Sequence, residues 1–152
     1  MYEYFILDVD GVMTDGKQYY TADGKIMKVF GPHDSDGLKQ IRNKIQIKFI
    51  SADHRGFDIS KRRIVDDLGY ILELVSEENR RLYVEQHGFN RVIFMGDGIY
   101  DADVMRYCYG IAPKSARPEC KFNAKHITKT IAANGAVYDA CMHVKGILNG
   151  EH

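Results

Sequence analysis

Two aspartates stand two positions apart at the end of the first apolar run, in the stretch FILDVDGVMTDG. A buried carboxylate is costly unless it is hydrogen-bonded, paired with a cation or bound to a metal. Asp8 and Asp10 therefore either serve as turn residues or bind something charged, and Gly11 allows the chain to turn there. Two further polar clusters end apolar runs in the same way: Ser51-Ala52-Asp53 and Gly96-Asp97-Gly98-Ile99-Tyr100-Asp101.

These three clusters could form one site, because ligands of open parallel sheets bind beyond the carboxyl ends of the strands. A single aspartate in this position is usually a turn or cap residue. Three clusters in the same position favour an acidic site, which is stable mainly with a hard divalent cation. Oxygen ligands suit Mg²⁺. The acids concerned are Asp8, Asp10 and Asp97, with Asp101 as a further candidate.

Calcium binding of the EF-hand kind is excluded by spacing. DVDG, DSDG and DGIYDAD each resemble the start of an EF-hand loop, which needs glycine at its sixth position and glutamate at its twelfth. Counted from the first aspartate of each stretch, the sixth residues are Met13, Lys39 and Ala102.

The composition indicates one soluble globular domain over residues 1–152, with 45% apolar and 28% charged residues. Lys+Arg and Asp+Glu number 21 each, so the net charge supports neither nucleic-acid nor membrane binding. No apolar run approaches the roughly 20 residues of a membrane span. The chain begins directly with a strand and without a leader pattern, so we expect a cytoplasmic protein. Its three cysteines lack C-x-x-C spacing, which supports neither a disulfide framework nor a zinc site.

The elements that must position the acids alternate between strands and helices. Five apolar runs predict strands covered on both faces, and KHITK is a weaker sixth candidate. Amphipathic stretches between them predict helices, of which the third is expected to begin near Ser76 and to end at Gly88. Asp23-Gly24 between two β-prone arms predicts a hairpin. We therefore expect a three-layer, doubly wound α/β domain with a parallel, Rossmann-like sheet and a β-hairpin inserted after the first strand.

Several of these stretches resemble a known family. DVDGVMTDG, FISAD and MGDGIYDADVM are similar to motifs one, two and four of the haloacid dehalogenase superfamily of aspartate-nucleophile phosphatases. The hairpin followed by FGPHDSDGLK, and the tail NGAVYDAC, resemble its small capless subgroup, which includes 3-deoxy-D-manno-octulosonate 8-phosphate phosphatase. The resemblance implies a fold without a cap domain and Mg²⁺-dependent hydrolysis of a small phosphomonoester.

The resemblance also implies a role for each matching residue. Asp8 would be the nucleophile, giving an aspartyl-phosphate, and Asp10 would protonate the leaving oxygen and then activate water. Mg²⁺ would be held by the side chains of Asp8 and Asp97 and by the backbone carbonyl of Asp10. Ser51 would hydrogen-bond a phosphoryl oxygen. Asp101 would support the metal through bound water or neighbouring backbone.

The sequence departs from the family at the lysine that precedes motif four. The predicted third helix contains no lysine, and Arg80 and Arg81 occupy that region. Counting from Gly69 favours Arg80 as the phosphate-binding cation, and Lys61 from another helix is an alternative. Arginine can hold phosphate through two parallel hydrogen bonds, so it can still neutralise the phosphoryl group in place of the lysine.

Two departures concern the substrate. The family subgroup commonly has Gly-Arg directly after the hydroxyl residue of motif two, whereas this chain reads SADHRG there. Tyr138 stands where an arginine is common in the subgroup. His33 and Asp34, in the loop after the hairpin, are candidate substrate contacts. Asp34 or Asp36 could instead cap the following helix.

The function implied is hydrolysis of a sugar-acid phosphate, of the octulosonate or nonulosonate kind, in surface-polysaccharide synthesis. The resemblance further implies a homotetramer in which hairpins and C-terminal tails close neighbouring sites. Two alternatives stay open: a phosphatase acting on a nucleotide or polynucleotide end, and a non-catalytic phosphate- or metal-binding switch. Asp10 argues against a durable switch, because an acid two residues after the nucleophile speeds dephosphorylation.

Overall fold

The first strand lies in the middle of a six-stranded parallel sheet in the computed structural model, which describes residues 1–151. The strands are Tyr4–Asp8 (β1), Tyr19–Thr21 (β2), Gly24–Met27 (β3), Gln46–Ser51 (β4), Ile71–Leu74 (β5), Val92–Met95 (β6), Tyr109–Ala112 (β7) and His126–Ile127 (β8). The helices are Asp34–Ile41 (α1), Phe57–Lys61 (α2), Arg80–His87 (α3), Ile99–Met105 (α4), Pro118–Asn123 (α5) and Ala136–Leu148 (α6). A π-helical segment, Arg62–Asp67, continues α2, and a short 3₁₀ turn, Phe89–Arg91, precedes β6.

The sheet order is β5-β4-β1-β6-β7-β8, so the chain winds outward from β1 in both directions. Successive side chains of a strand point to opposite faces. Accordingly, Phe5 and Leu7 of β1 join a core with residues of α1 and α6, such as Leu38 and Val144. Ile6 joins a second core with residues of α3, α4 and α5. The predicted three-layer, doubly wound α/β fold is confirmed.

The inserted hairpin is present where it was predicted. β2 and β3 pair in antiparallel fashion around the Asp23-Gly24 turn, in which Gly24 has a φ of +115°. A single bridge between Thr14 and Phe30 closes the base of the hairpin. Residues 9–33 contain no other strand or helix, so the chain described here has no cap domain at this point.

The start of α3 differs from the prediction. The helix begins at Arg80 rather than near Ser76, because residues 76–79 form tight turns of their own. The amide of Asn79 donates to the carbonyl of Ser76 at 3.2 Å, and that of Arg80 donates to the carbonyl of Glu77 at 3.3 Å. The predicted end at Gly88 is confirmed, with a φ of +87°. Arg80 is thus the first residue of α3.

A short helix, α5, was not predicted. It spans only six residues, and Pro118 occupies its first turn, where a missing backbone N–H costs nothing. Within residues 1–151, no helix combines the length and the apolar character that crossing a bilayer requires. The three cysteines are free thiols and are buried: Cys108, Cys120 and Cys141.

Candidate active site

Parallel pairing places the ends of three strands side by side. β1 pairs with β4, with Asp8 opposite Ile50, and on its other side with β6, which ends at Met95. Asp97 follows two residues later. The strand order reverses between β4 and β6, and ligands of doubly wound sheets bind at such a switch point. The acids predicted from the sequence therefore meet at one edge of the sheet.

Three of these acids form a cluster. One carboxylate oxygen from each of Asp8, Asp97 and Asp101 lies within 4.8 Å of the other two. Burial raises the pKa of Asp8 well above its usual range; Arg80 opposes the shift, and Asp101 and Asp97 add to it. Burial and the charge of Asp101 raise the pKa of Asp97 to about 7. Their ionised forms are unfavourable without a counter-charge.

The cluster fits a hard divalent cation. All of its ligand atoms are carboxylate oxygens, which Mg²⁺ and similar ions prefer. A divalent charge would offset the burial and the repulsion that raise the pKa values of Asp8 and Asp97. The backbone also approaches the cluster closely, because a Cβ at Gly11 would lie 1.8 Å from Oδ2 of Asp97.

Gly11→Ala should therefore damage the cluster. The substitution places a side chain at a φ of +81° and pushes Asp97 aside, so we expect cation affinity to fall at least tenfold. Gly24→Ala is the matched control, since Gly24 also has a positive φ but a Cβ there would meet nothing within 4 Å. Isothermal titration with Mg²⁺ measures both affinities. An equal loss in the two variants would contradict this account of Gly11.

Asp101 is hydrogen-bonded through both carboxylate oxygens. Oδ2 accepts from the backbone N–H groups of Asp97 at 2.9 Å and Gly98 at 3.1 Å, at the beginning of α4. Oδ1 accepts from Nη1 of Arg80 at 2.6 Å. With both oxygens engaged in this way, Asp101 is placed to hold the other groups of the cluster in position.

Arg80 is the buried cation beside this cluster. Its side chain is 6% exposed, and Nη1 lies 3.4 Å from Oδ2 of Asp8. Burial opposes the charge of Arg80, but Asp8 and Asp101 outweigh it and raise the pKa of the guanidinium above its usual range. Its Nε–H is buried without a protein partner. Arg80 therefore carries a permanent positive charge and lines the cavity.

The two other cations considered from the sequence lie elsewhere. Arg81 is exposed and pairs with Asp103 at 3.5 Å, and Lys61 is exposed on α2. Only Arg80 of the three lines the cavity at the acidic cluster. Its placement agrees with the register counted from Gly69.

A cavity of about 690 Å³ opens at the acidic cluster. Asp8, Asp10 and Asp97 line it, together with residues from the hairpin and from the loop after β4. The hairpin side contributes Lys17, Gln18, Tyr20, Lys25 and Lys28, and the loop contributes Ala52, Asp53, His54 and Arg55. The cavity is thus acidic at the cluster and cationic along the hairpin.

Lys25 and Lys28 are residues that sequence reasoning missed. Lys28 Nζ lies 2.9 Å from Oδ1 of Asp10 and 2.9 Å from Oδ2 of Asp53, and Lys25 Nζ lies 2.5 Å from Oδ2 of Asp53. Burial alone would raise the pKa of Asp53, but the two lysines lower it to about 2. The sequence did contain a signal for this contact, because two lysines lie in a hairpin that directly follows a strand ending in acids.

Ser51 is fully buried at the end of β4 and does not line the cavity. Its Oγ accepts a hydrogen bond from the backbone N–H of Asp53 at 3.1 Å. The hydroxyl keeps its own proton for donation. Its contact with a phosphoryl oxygen stays a prediction.

His33 and Asp34 lie outside the cavity lining. His33 precedes α1, and Asp34 is the first residue of that helix. Asp34 is 2% exposed, and the backbone of Tyr138 in α6 is the group that interacts most favourably with its carboxylate. Their role as substrate contacts stays a prediction, without support from the cavity lining.

The buried Asp34 carboxyl should make stability depend on pH. Burial raises its pKa from 3.8 to about 6, so the folded state binds this proton more tightly than the unfolded state. Its favourable contribution is present below about pH 4 and is lost as the pH rises to 6. Relative to wild type, Asp34→Asn should gain about 2 kcal/mol of unfolding free energy between pH 4.5 and 7.5. Urea unfolding at both pH values measures this.

Asp36→Asn is the matched control for this experiment, because Asp36 lies in the same first helical turn and is exposed. The gain between the two pH values should be larger for Asp34→Asn than for Asp36→Asn, because only Asp34 of the two is buried. A pH-independent difference for Asp34→Asn would show that the Asp34 carboxyl does not titrate as described.

No protein-family model matches the chain, but individual relatives do. The chain is 30% identical over 141 residues to the 3-deoxy-D-manno-octulosonate 8-phosphate phosphatase KdsC of Haemophilus influenzae, covering 88% of this chain and 77% of that protein. It is 27% identical over 149 residues to the same-named protein of Escherichia coli K12, covering 90% of this chain and 75% of the relative.

Solved structures show the same fold. The cobalt-bound form of the deoxy-D-mannose-octulosonate 8-phosphate phosphatase of Haemophilus influenzae has a TM-score of 0.82 at 27% identity, over 98% of this chain and 90% of that one. A Legionella pneumophila protein assigned to subfamily III A of the haloacid dehalogenase hydrolases has a TM-score of 0.85 at 25% identity, over 99% of this chain and 85% of that one.

The chain belongs to the haloacid dehalogenase superfamily. The relatives that it matches are named octulosonate 8-phosphate phosphatases, and the chain is a phosphatase. The resemblance inferred from the three acidic motifs is confirmed at the level of family, fold and enzyme class.

Proposed function

We propose that this phosphatase hydrolyses a small sugar-acid phosphate, of the octulosonate or nonulosonate kind, through an aspartyl-phosphate on Asp8. The observation that carries the proposal is the convergence of Asp8, Asp97 and Asp101 beside the buried Arg80, in one cavity. The substrate class is inferred from the relatives, which are octulosonate 8-phosphate phosphatases.

The residues divide the reaction into two displacements. In the first, a carboxylate oxygen of Asp8 attacks phosphorus, the bond from phosphorus to the sugar oxygen breaks, and Asp10 gives that oxygen a proton. In the second, water attacks the phosphorus of the aspartyl-phosphate and the bond to Asp8 breaks. Asp10 takes the proton of the water, so both side chains return to their starting states.

Positive charge must offset the repulsion between the phosphate and Asp8. We assign Mg²⁺ to the side chains of Asp8 and Asp97 and to the backbone carbonyl of Asp10, and the cobalt-bound relative supports a divalent ion. When bound, the ion supplies charge neutralisation and orients the phosphoryl group. Arg80, which lines the cavity, contributes a second, permanent charge beside the phosphoryl group.

Exposed apolar side chains support assembly into a homotetramer that closes each site. Tyr20, Ile26 and Met27 of the hairpin are about half exposed, and Tyr138 and Met142 of α6 are partly exposed. Several exposed apolar side chains on one hairpin favour an interface there. Light scattering tests the assembly, and a strictly monomeric protein with full activity would contradict it.

We further propose a cytoplasmic location and a role in surface-polysaccharide synthesis.

A second candidate, phosphate removal from a nucleotide or polynucleotide end, is compatible with a cavity open to solvent. The balanced charge gives it no particular support, because nucleic-acid binding requires a basic surface. The non-catalytic switch has less support still, since the relatives are phosphatases.

A hydrolysis screen tests the proposal. Wild type should release phosphate from sugar-acid phosphates in the presence of Mg²⁺, faster than from neutral sugar phosphates or nucleotides, and chelation should stop the reaction. A preference for nucleotides would contradict the sugar-acid phosphate as substrate and favour the second candidate function. Absence of release from every phosphomonoester would contradict the proposed function.

A further inference from the structure

We propose that Lys28, on the hairpin, is a positioning residue that fixes the carboxyl group of Asp10 for catalysis. This inference rests on the proposed function, in which Asp10 is the acid and base. Nothing in the motifs of the sequence indicates such a role, since Lys28 lies 18 residues after Asp10 and beyond the hairpin turn.

Lys28 is nearly inaccessible and fully paired. Its side chain is 2% exposed, and Nζ lies 2.9 Å from Asp10 Oδ1, 2.9 Å from Asp53 Oδ2 and 2.7 Å from Ser60 Oγ. A buried ammonium group is stable only when such partners replace its water. Its three N–H donors are matched by these three groups. The ammonium group is therefore held in one place and has no free donor for a substrate.

Asp10, in contrast, has little else to fix it. Its side chain is 35% exposed, and its other side-chain contact is a long one, from Thr14 Oγ1 at 3.5 Å. A general acid must come within about 2.6–3.2 Å of the oxygen that it protonates. Because displacements of about 1 Å can cost 100-fold in rate, the contact with Lys28 should decide how often Asp10 is correctly placed.

The contacts of Lys28 also connect three parts of the chain. Asp10 follows β1, Asp53 follows β4, and Ser60 lies in α2. Lys25 pairs with Asp53 as well but makes no ion pair with Asp10. Both hairpin lysines therefore pair with Asp53, but of the two only Lys28 pairs with the catalytic acid Asp10.

This difference gives a direct test. Lys28→Ala should lower kcat at least tenfold while KM stays within threefold, because substrate binding does not use Lys28. Lys25→Ala should lower kcat about two- to threefold, through looser anchoring of Asp53. Added ethylammonium, which can replace the lost ammonium group, should restore part of the activity of Lys28→Ala and none of that of Lys25→Ala. Folding is checked by thermal unfolding.

Gly56→Ala provides a variant that keeps every charge. A Cβ at Gly56 would lie 2.4 Å from Asp53 Oδ2, 2.7 Å from Lys25 Cδ and 2.8 Å from Lys28 Cε, so these three flexible groups must shift. We expect kcat to fall about three- to tenfold, with unchanged KM and a folded protein.

The outcomes separate this inference from the proposed function. Active wild type with an inactive Asp8→Asn variant, but with Lys28→Ala within threefold of wild type, would overturn the role of Lys28 alone. Equal losses in the two lysine variants would also overturn it, as would a raised KM with unchanged kcat. Wild type without phosphatase activity would overturn both.

Discussion

Asp8→Asn is expected to lower turnover by at least a thousandfold without loss of folding. The amide has the size of the carboxylate but is a poor nucleophile, so the first displacement at phosphorus should stop. Stability should not fall, because burial and neighbouring acids already make the charged form of Asp8 unfavourable. Phosphate release and thermal unfolding, both followed in the same preparation, measure the two effects.

Asp66→Asn is the control for this variant, since Asp66 is an exposed aspartate of the π-helical segment. It should behave as wild type in both assays. Asp8→Asn that keeps more than a tenth of the wild-type activity would show that another group attacks phosphorus.

Arg80→Ala should lower both stability and turnover, and much more than Arg81→Ala. Removing Arg80 leaves Asp101 without its 2.6 Å partner and removes the positive charge beside Asp8. Breaking a buried ion pair in this way costs about 3–5 kcal/mol. The loss of a phosphate-binding charge should also lower kcat/KM about 100-fold or more. Urea unfolding in metal-free buffer and steady-state kinetics give the two quantities.

Arg81→Ala supplies the comparison within the same helix. Its guanidinium is exposed, and surface ion pairs contribute about 0–1 kcal/mol. Similar effects of the two substitutions would contradict the assignment of Arg80 as the cation of the site. A larger effect at Arg81 would mean that α3 presents a different face to the cavity.

The sheet and the acids at its edge were predictable from local patterns. β1, β4 and β6 are apolar runs too short for helices, and each is followed by polar residues with turn character. Because parallel strands end at a common edge, the positions of Asp8 and Asp97 follow from the strand assignment alone. The hairpin followed from Asp23-Gly24 for a similar reason, since the turn chemistry is local.

The first residue of α3 shows what local sequence patterns miss. Ser76 followed by acids has the chemistry of a helix start, but hydrogen bonds within residues 76–79 form separate turns and delay the helix to Arg80. The choice between the two arginines did not suffer from this error, because counting from Gly69 favoured Arg80, and only Arg80 of the two lines the cavity.

The contacts of the hairpin lysines could not be predicted, because they depend on how distant segments pack. Lys25 and Asp53 lie 28 residues apart, and Lys25 belongs to no motif. The burial of Asp34 is of the same kind, since it arises from the packing of α1 against α6, which is far away in the sequence. Hydrophobic periodicity predicts elements but does not specify which polar groups meet between them.

A crystal structure of wild type grown with Mg²⁺ and inorganic phosphate tests the central claim most directly. We expect one cation with oxygen atoms of Asp8 and Asp97 about 2.0–2.2 Å away, and a phosphate oxygen completing its shell. The phosphate should also contact Arg80. A cation bound elsewhere, or Asp8 and Asp97 turned apart with the phosphate distant from both, would contradict the account.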